Sequence, residues 1–179
     1  MNTYIALLRG INVGGHKKVP MAELRELLAN SGLKNVQTYI QSGNVIFQSM
    51  VDDVNALEKS IKQSIFDHFG FDVSVLVRTR IQLKAIFDTC PFTEEKKVNS
   101  YFAMLTEIPN KDLVKEASEK TYENEEYAIV NDCIYFYCDK GYGNAKFNLN
   151  FFERKLKVGA TSRNYKTMVK LLSLSQTND

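Results

Sequence analysis

Along this chain the apolar residues repeat with the period of a strand, then of a helix, and they do so in the same order twice. Tyr4-Ile5-Ala6-Leu7-Leu8 is an apolar run of strand length, stopped by Arg9-Gly10 and a loop holding Gly14-Gly15. Pro20 suits the first turn of a helix with Met21, Leu24 and Leu28 on one face and Leu27 beside them. Asn30-Ser31-Gly32 ends it. Val36, Thr38 and Ile40 alternate as a strand, Gln41-Ser42-Gly43-Asn44 supplies a turn, and Val45-Ile46-Phe47 returns as its partner. Asp52 or Asp53 caps a helix whose inner face is Val54, Leu57, Ile61 and Ile65. It stops at Gly70, and Phe71, Val73, Val75 and Val77 alternate as a fourth strand.

The second half repeats this order less cleanly. After Thr79, where Gln82 completes a capping box, a helix carries Ile81, Ile86 and Phe87 and ends before Cys90-Pro91. A charged loop, Glu94-Glu95-Lys96-Lys97, leads to a strand at Tyr101 to Leu105. Asn110 caps a helix with Leu113, Val114 and Ala117 inward, and Tyr127–Val130 and Ile134–Tyr137 form a hairpin about Asn131-Asp132. Asn148 caps a helix through Phe151, Phe152 and Leu156, and Val158 to Thr161 is expected as the fourth strand. A last helix carries Tyr165, Met168, Val169 and Leu172, and the polar tail from Ser173 to Asp179 is expected to fray. The expected fold is therefore α+β: two tandem ferredoxin-like subdomains (α/β plaits, each βαββαβ). They occupy residues 1–79 and 80–179, the second with an extra C-terminal helix. No Pro/Gly/Ser-rich linker separates the halves, so they are expected to pack as one unit.

With 44% apolar and 25% charged residues, such a chain holds a real core. The start, Met1 to Ile5, has no basic run followed by a long apolar stretch, and no apolar run approaches a membrane span. Cys90, Cys133 and Cys138 have no metal-ligand spacing and read as reduced thiols of a cytoplasmic protein. The net charge of +2 hides a segregation. Met1 to Lys18 holds three Lys/Arg and no acid, and Lys140 to Asp179 holds eight against two acids. Between them twelve bases face nineteen acids. Such asymmetry fits either an anion-binding surface or two faces that attract each other within the fold.

Three segments could carry chemistry. The first runs from Leu8 to Lys18 and offers Arg9, Asn12, Gly14, Gly15 and Lys17 between a strand and a helix. Glycine amides, a helix start and a lysine can cradle an anion. Equally, the glycines can simply make a tight turn. Neither a Walker loop nor a dinucleotide fingerprint is present. The second, Tyr39 to Val45, reads as an ordinary hairpin turn or as Gln41, Ser42 and Asn44 presenting uncharged hydrogen-bonding groups. The third, Gly159 to Thr167, reads as a helix amino terminus capped by Thr161 or Ser162. It carries Arg163, Asn164, Lys166 and Thr167, with Lys146 joining from beyond Gly141-Tyr142-Gly143. Cations oppose the macrodipole at that end, so a bound anion would explain them, as would a solvated helix start. With His16 and His68 the only histidines, no zinc or His-based metal site is expected. The three segments hold no Asp or Glu, which argues against magnesium-dependent phosphoryl transfer.

Leu8-Arg9-Gly10-Ile11-Asn12-Val13-Gly14-Gly15, Tyr39-Ile40-Gln41-Ser42-Gly43-Asn44-Val45 and Thr161-x-Arg163-Asn164-Tyr165-x-Thr167, in that order, closely resemble the bacterial DUF1697 family, a domain of unknown function. Tyr165 stands where that family usually has tryptophan. The resemblance implies tandem α/β-plait subdomains and no assigned activity. On the residues themselves the favoured expectation is a binding module for a phosphate-bearing small molecule or a nucleic-acid backbone, with no cofactor. In that reading Arg9, Lys17, Lys146, Arg163 and Lys166 would line one cleft, and Tyr135 and Tyr137 could stack bases. An enzyme with His16 or Tyr165 in proton transfer, and an interaction protein whose polar segments only join its halves, are the alternatives.

Overall fold

The computed structural model describes residues 1–139, 141 and 145–176. Tyr142, Gly143 and the last three residues of the expected polar tail lie outside the described residues. Among the described residues the chain forms seven helices and two four-stranded antiparallel sheets, and it divides into two compact units. Unit 1 is Met1–Leu83 with Lys170–Asp179, and unit 2 is Lys84–Val169.

Unit 1 runs β1 (Asn2–Arg9), α1 (Met21–Asn30), β2 (Lys34–Tyr39), β3 (Asn44–Ser49), α2 (Val54–Phe69) and β4 (Ser74–Thr79), with strand order β2-β3-β1-β4. β1 is central and buried on both faces, which is why its sequence is a continuous apolar run and not an alternation. Tyr4, Ala6 and Leu8 share one core with Leu24 and Leu28 of α1 and Leu57, Ile61 and Ile65 of α2. Each large side chain so buried contributes about 1.5–3 kcal/mol. The helix ends follow local rules. Asp53 accepts from the amides of Asn55 and Ala56, and Gly70 closes α2 at φ 77°. Pro20 precedes the first turn of α1, which starts at Met21.

The chain continues through α3 (Arg80–Asp88), which spans the division between the units, and a single turn, α4 (Glu94–Lys97). Thr79 and Gln82 make the expected reciprocal capping box, the Thr79 amide donating to Gln82 and the Gln82 amide to the Thr79 hydroxyl. Of the apolar residues read on α3, Ile86 is buried and Ile81 is 81% exposed, and Leu83 is buried in its stead. The charged stretch read as a loop is the helical turn α4, because Lys97 lays its stem inward and holds its ammonium 4.3 Å from the Phe87 ring centre.

Unit 2 then repeats the order of unit 1 with β5 (Ser100–Leu105), α5 (Lys111–Ala117), β6 (Glu125–Val130), β7 (Cys133–Cys138), α6 (Leu149–Leu156) and β8 (Ala160–Asn164). The strand order is β6-β7-β5-β8, the counterpart of unit 1. α7 (Tyr165–Leu174) follows directly and carries the chain across the second division, at Lys170. Asn110 and Asn148 cap α5 and α6 as expected. The core under α5 and α6 is aromatic, with Phe147 stacked 4.1 Å from Phe136 and 4.9 Å from Phe152. On the opposite face Phe102 stacks on Phe87 of α3, and the Tyr135 hydroxyl donates to the Ile86 carbonyl at 2.7 Å. Cys133 and Cys138 take opposite faces of β7, Cys138 joining the aromatic core, as their odd spacing requires.

The fourth strand of this sheet lies later than expected, at Ala160–Asn164, and this alters the third segment. Thr161, Ser162 and Arg163 are strand residues paired with Met104, Ala103 and Phe102, and neither Thr161 nor Ser162 caps a helix. Asn164 does so, its side chain accepting from the Thr167 amide at 2.9 Å. Met168 and Leu171 form the buried stripe of α7, and Val169 is 41% exposed.

Candidate functional site

In unit 1 the first two segments meet. The Leu8 amide donates to the Gly43 carbonyl at 2.7 Å, and the Asn12 amide group donates to the carbonyls of Gln41 (2.9 Å) and Val19 (3.0 Å). The Asn12 carbonyl oxygen accepts from the Val19 amide at 2.8 Å. Asn12 is therefore a strut that ties the glycine loop to the hairpin turn. Asn44 is fully buried and donates to the Tyr39 carbonyl and to the Ser42 hydroxyl. A Cβ at Gly43 would stand 2.6 Å from Leu8 Cβ and 2.9 Å from Ile11 Cδ1, so glycine is what allows the approach.

The glycine loop itself is a turn. The His16 amide donates to Val13, and Gly14 and Gly15 between them have φ of 58° and 78°, as the I′ family of two-residue turns requires. The Lys17 ammonium donates to the Asp72 carbonyl at 2.5 Å and does not reach toward the glycine amides as a phosphate cradle would have it. Arg9 ends β1 half-buried, and Gln41 lies exposed in the hairpin turn. Ile40 beside it has φ 49°, a strained setting for a β-branched residue.

In unit 2, Arg163 is buried in β8, with one guanidinium nitrogen donating to the Ser162 carbonyl. Burial draws its pKa down from 12.5 to about 10, so it stays charged at neutral pH. It is thus a strand residue and not a cation at a helix start. Tyr135 is equally unsuited to stacking a base, being 1% exposed. Lys146 lies 4.0 Å from the Glu123 carboxylate, and its amide donates to Glu125.

The third segment does border a cavity of about 340 Å³. Asn164, Tyr165 and Lys166 of the β8–α7 junction line it with Asn99, Ser100 and Tyr101 at the start of β5 and Tyr137, Cys138, Asp139 and Gly141 at the end of β7. Lys166 is exposed there, in a first turn of α7 that holds no acidic residue. The Tyr137 hydroxyl donates to Asp139 at 3.2 Å. Burial, and then the Asp139 carboxylate, push the Tyr137 phenol up against the opposing effect of Lys96, so it enters neutral-pH chemistry as a donor and not as a base. Of the residues singled out from sequence, Asn164, Lys166, Tyr137 and Tyr165 reach this cavity. The sequence reading missed Asn99, Ser100, Tyr101, Asp139 and a role for Gly141. The signal was there: Asn99-Ser100-Tyr101-Phe102-Ala103-Met104-Leu105 repeats Asn2-Thr3-Tyr4-Ile5-Ala6-Leu7-Leu8.

A family model described as Protein of unknown function (DUF1697) matches residues 1–135, three quarters of the chain. The chain belongs to this family. None of the curated proteins matches this DUF1697 chain. Among solved structures it is similar to conserved bacterial protein SP0830 from Streptococcus pneumoniae, with 29% identity and a TM-score of 0.78 over 97% of this chain and 98% of that one. Among the described residues no group of three or more His, Cys, Asp or Glu is placed to hold a metal ion, and no helix is long and apolar enough to cross a membrane.

Proposed function

We propose that this DUF1697 protein is a binding module for a small phosphate-bearing ligand, of the nucleotide or phosphometabolite class, seated in the unit 2 cavity. The observation that carries the reading is the cavity's composition. Its volume of about 340 Å³ falls within the roughly 300–1,000 Å³ of small-ligand sites. Lys166 and the opening turn of α7 supply positive charge, and a phosphate there removes the cost of a cation at a helix amino terminus. Asn99, Ser100 and Asn164 add uncharged polar groups, and the rings of Tyr101 and Tyr137 add flat apolar surface. Asp139 adds an acceptor, which suits a ligand carrying a ring and a donor besides its phosphate. An extended nucleic acid is less well served, because Tyr135 lies under α3 and leaves the sheet face without a stacking platform.

Each unit also reads as a ferredoxin-like plait, in sequence the halves 1–79 and 80–179. The βαββαβ order and the strand orders β2-β3-β1-β4 and β6-β7-β5-β8 support this. Calorimetric titration with AMP and with inorganic phosphate tests the binding proposal. Saturable binding to the native protein, weakened roughly tenfold or more by Lys166→Ala, is expected. No heat with either compound, together with unchanged melting in phosphate buffer, would overturn it.

A further inference from the structure

Each sheet ends in two edge strands, whose outward amides and carbonyls another chain can pair with unless something blocks them. On β4 the Val77 amide donates to the Glu58 carboxylate at 2.8 Å, and the Thr79 amide donates to Gln82. On β8 the Ala160 amide donates to the Glu153 carboxylate at 2.9 Å. β2 breaks register with β3 between Lys34 and Gln37, where Asn35 has φ 50°. β6 differs: its register with β7 is unbroken from Glu125 to Val130. The Leu105 amide donates to the Asp132 carbonyl, so by alternation Ile134 and Phe136 bond β5, and Cys133, Tyr135 and Tyr137 bond β6. The partners of those three are Val130, Ala128 and Glu126, which leaves the backbone groups of Tyr127 and Ile129 pointing off the sheet. Among the described residues no group accepts from either amide.

A groove of about 360 Å³ lies along this edge, lined by Tyr127, Ala128 and Ile129 with Phe92, Lys120 and Tyr122 beside them. The Tyr127 hydroxyl donates to the carbonyls of Ala117 and Lys120 and so fixes the chain between α5 and β6. Charge decides the occupant. From Asp112 to Asp139 the sequence holds eight acids and two bases, Lys115 and Lys120. Lys96 and Lys146, which pair with Glu126 and Glu123, raise the bases only to four. A second copy of the chain would bring the same acidic stretch against itself, whereas a Lys/Arg-bearing strand complements it. We infer that β6 is a docking edge for an extended cationic peptide. The peptide adds as a fifth strand through the backbone of Tyr127 and Ile129, its apolar side chains lie on the groove's aromatic rings, and its cations meet the surrounding carboxylates. This site is separate in its key residues from the one proposed at Lys166.

The test uses the whole chain and a short fluorescein-labelled peptide that alternates valine and lysine, read by anisotropy. Saturable binding is expected, weakened roughly tenfold or more when the peptide's backbone amides are methylated. Ile129→Pro removes one of the two outward N–H groups, and a sheet edge tolerates proline at such a position. It should weaken binding to a similar degree. In the native protein, hydrogen exchange at the Tyr127 and Ile129 amides should slow when peptide is added. Binding that survives methylation of the peptide is adsorption by charge alone and overturns the inference, whether or not the proline variant folds. Absence of binding overturns it too, as does equal binding of a peptide that alternates valine and glutamate. A native dimer that Ile129→Pro dissociates assigns the edge to a second copy and likewise overturns it.

Discussion

The two sheets share one register and differ at both ends. At the hairpin end, unit 1 turns through Ile40 to Gly43, with a β-branched residue at φ 49° and a glycine pressed against Leu8. Unit 2 turns at the same place through Asn131, a residue at ease at φ 52°. At the opposite end the contrast reverses: unit 1 is closed by Asp52, and unit 2 holds the cavity. The same backbone plan thus tolerates strain or an opening at either end, provided its two central strands and their helix-facing core are kept. Where a unit departs from the simpler version of itself is where a role beyond folding is to be sought.

Substitutions at matched positions can break this comparison. Gly43→Ala should cost about 3 kcal/mol or more, since it adds a backbone-level clash to a left-handed φ. Gly141→Ala, with open space at φ +76°, should cost only about 1–2 kcal/mol. Urea melts that rank the two equally would remove the asymmetry. Thr79→Ala and Asn164→Ala should each cost about 1 kcal/mol, as they delete equivalent caps of α3 and α7. A much larger loss for one would mark its helix as the more dependent on its cap. Ile40→Asn should stabilise by roughly 0.5–1 kcal/mol by importing the unit 2 solution, and a lower melting temperature would show that Ile40 is held by something other than strain.

The smallest effect is in alkaline titration. Burial raises the phenol pKa of Tyr122, Tyr127, Tyr135 and Tyr137, all in unit 2. Below the ordinary value near 10 both states hold these protons, so their contribution is fully present there. As pH rises past it the unfolded chain loses protons first, and stability falls. Absorbance at alkaline pH should show the buried Tyr135 phenol ionising late and together with unfolding. An early phenol ionisation seen in the native protein and missing from Tyr135→Phe would contradict the buried Tyr135–Ile86 bond.

The helix boundaries show what could be read in advance. Asp53, Asn110, Asn148 and the Thr79–Gln82 pair act within two or three residues of themselves, and each was legible as a local pattern. β8 was misplaced because Ala160–Asn164 has little apolar alternation. Its pairing with β5 is what makes it a strand. The resulting shift turned Arg163 from an exposed helix-start cation into a buried strand residue. The cavity was half legible: Asn164 and Lys166 stood in a conspicuous segment, whereas Asn99 and Gly141 are drawn to it only by the pairing of β5 with β7.

By itself the amino-acid order determined the succession of elements, most of their ends and family membership, because periodicity, caps and motifs are properties of neighbouring residues. Which polar side chains remain available for a ligand was decided only by the tertiary structure. Asn12 meets Gln41 29 residues away, and Lys17 meets the Asp72 carbonyl 55 residues away. A donor already satisfied by such a distant acceptor gains little from an incoming anion, and no local pattern reveals that acceptor.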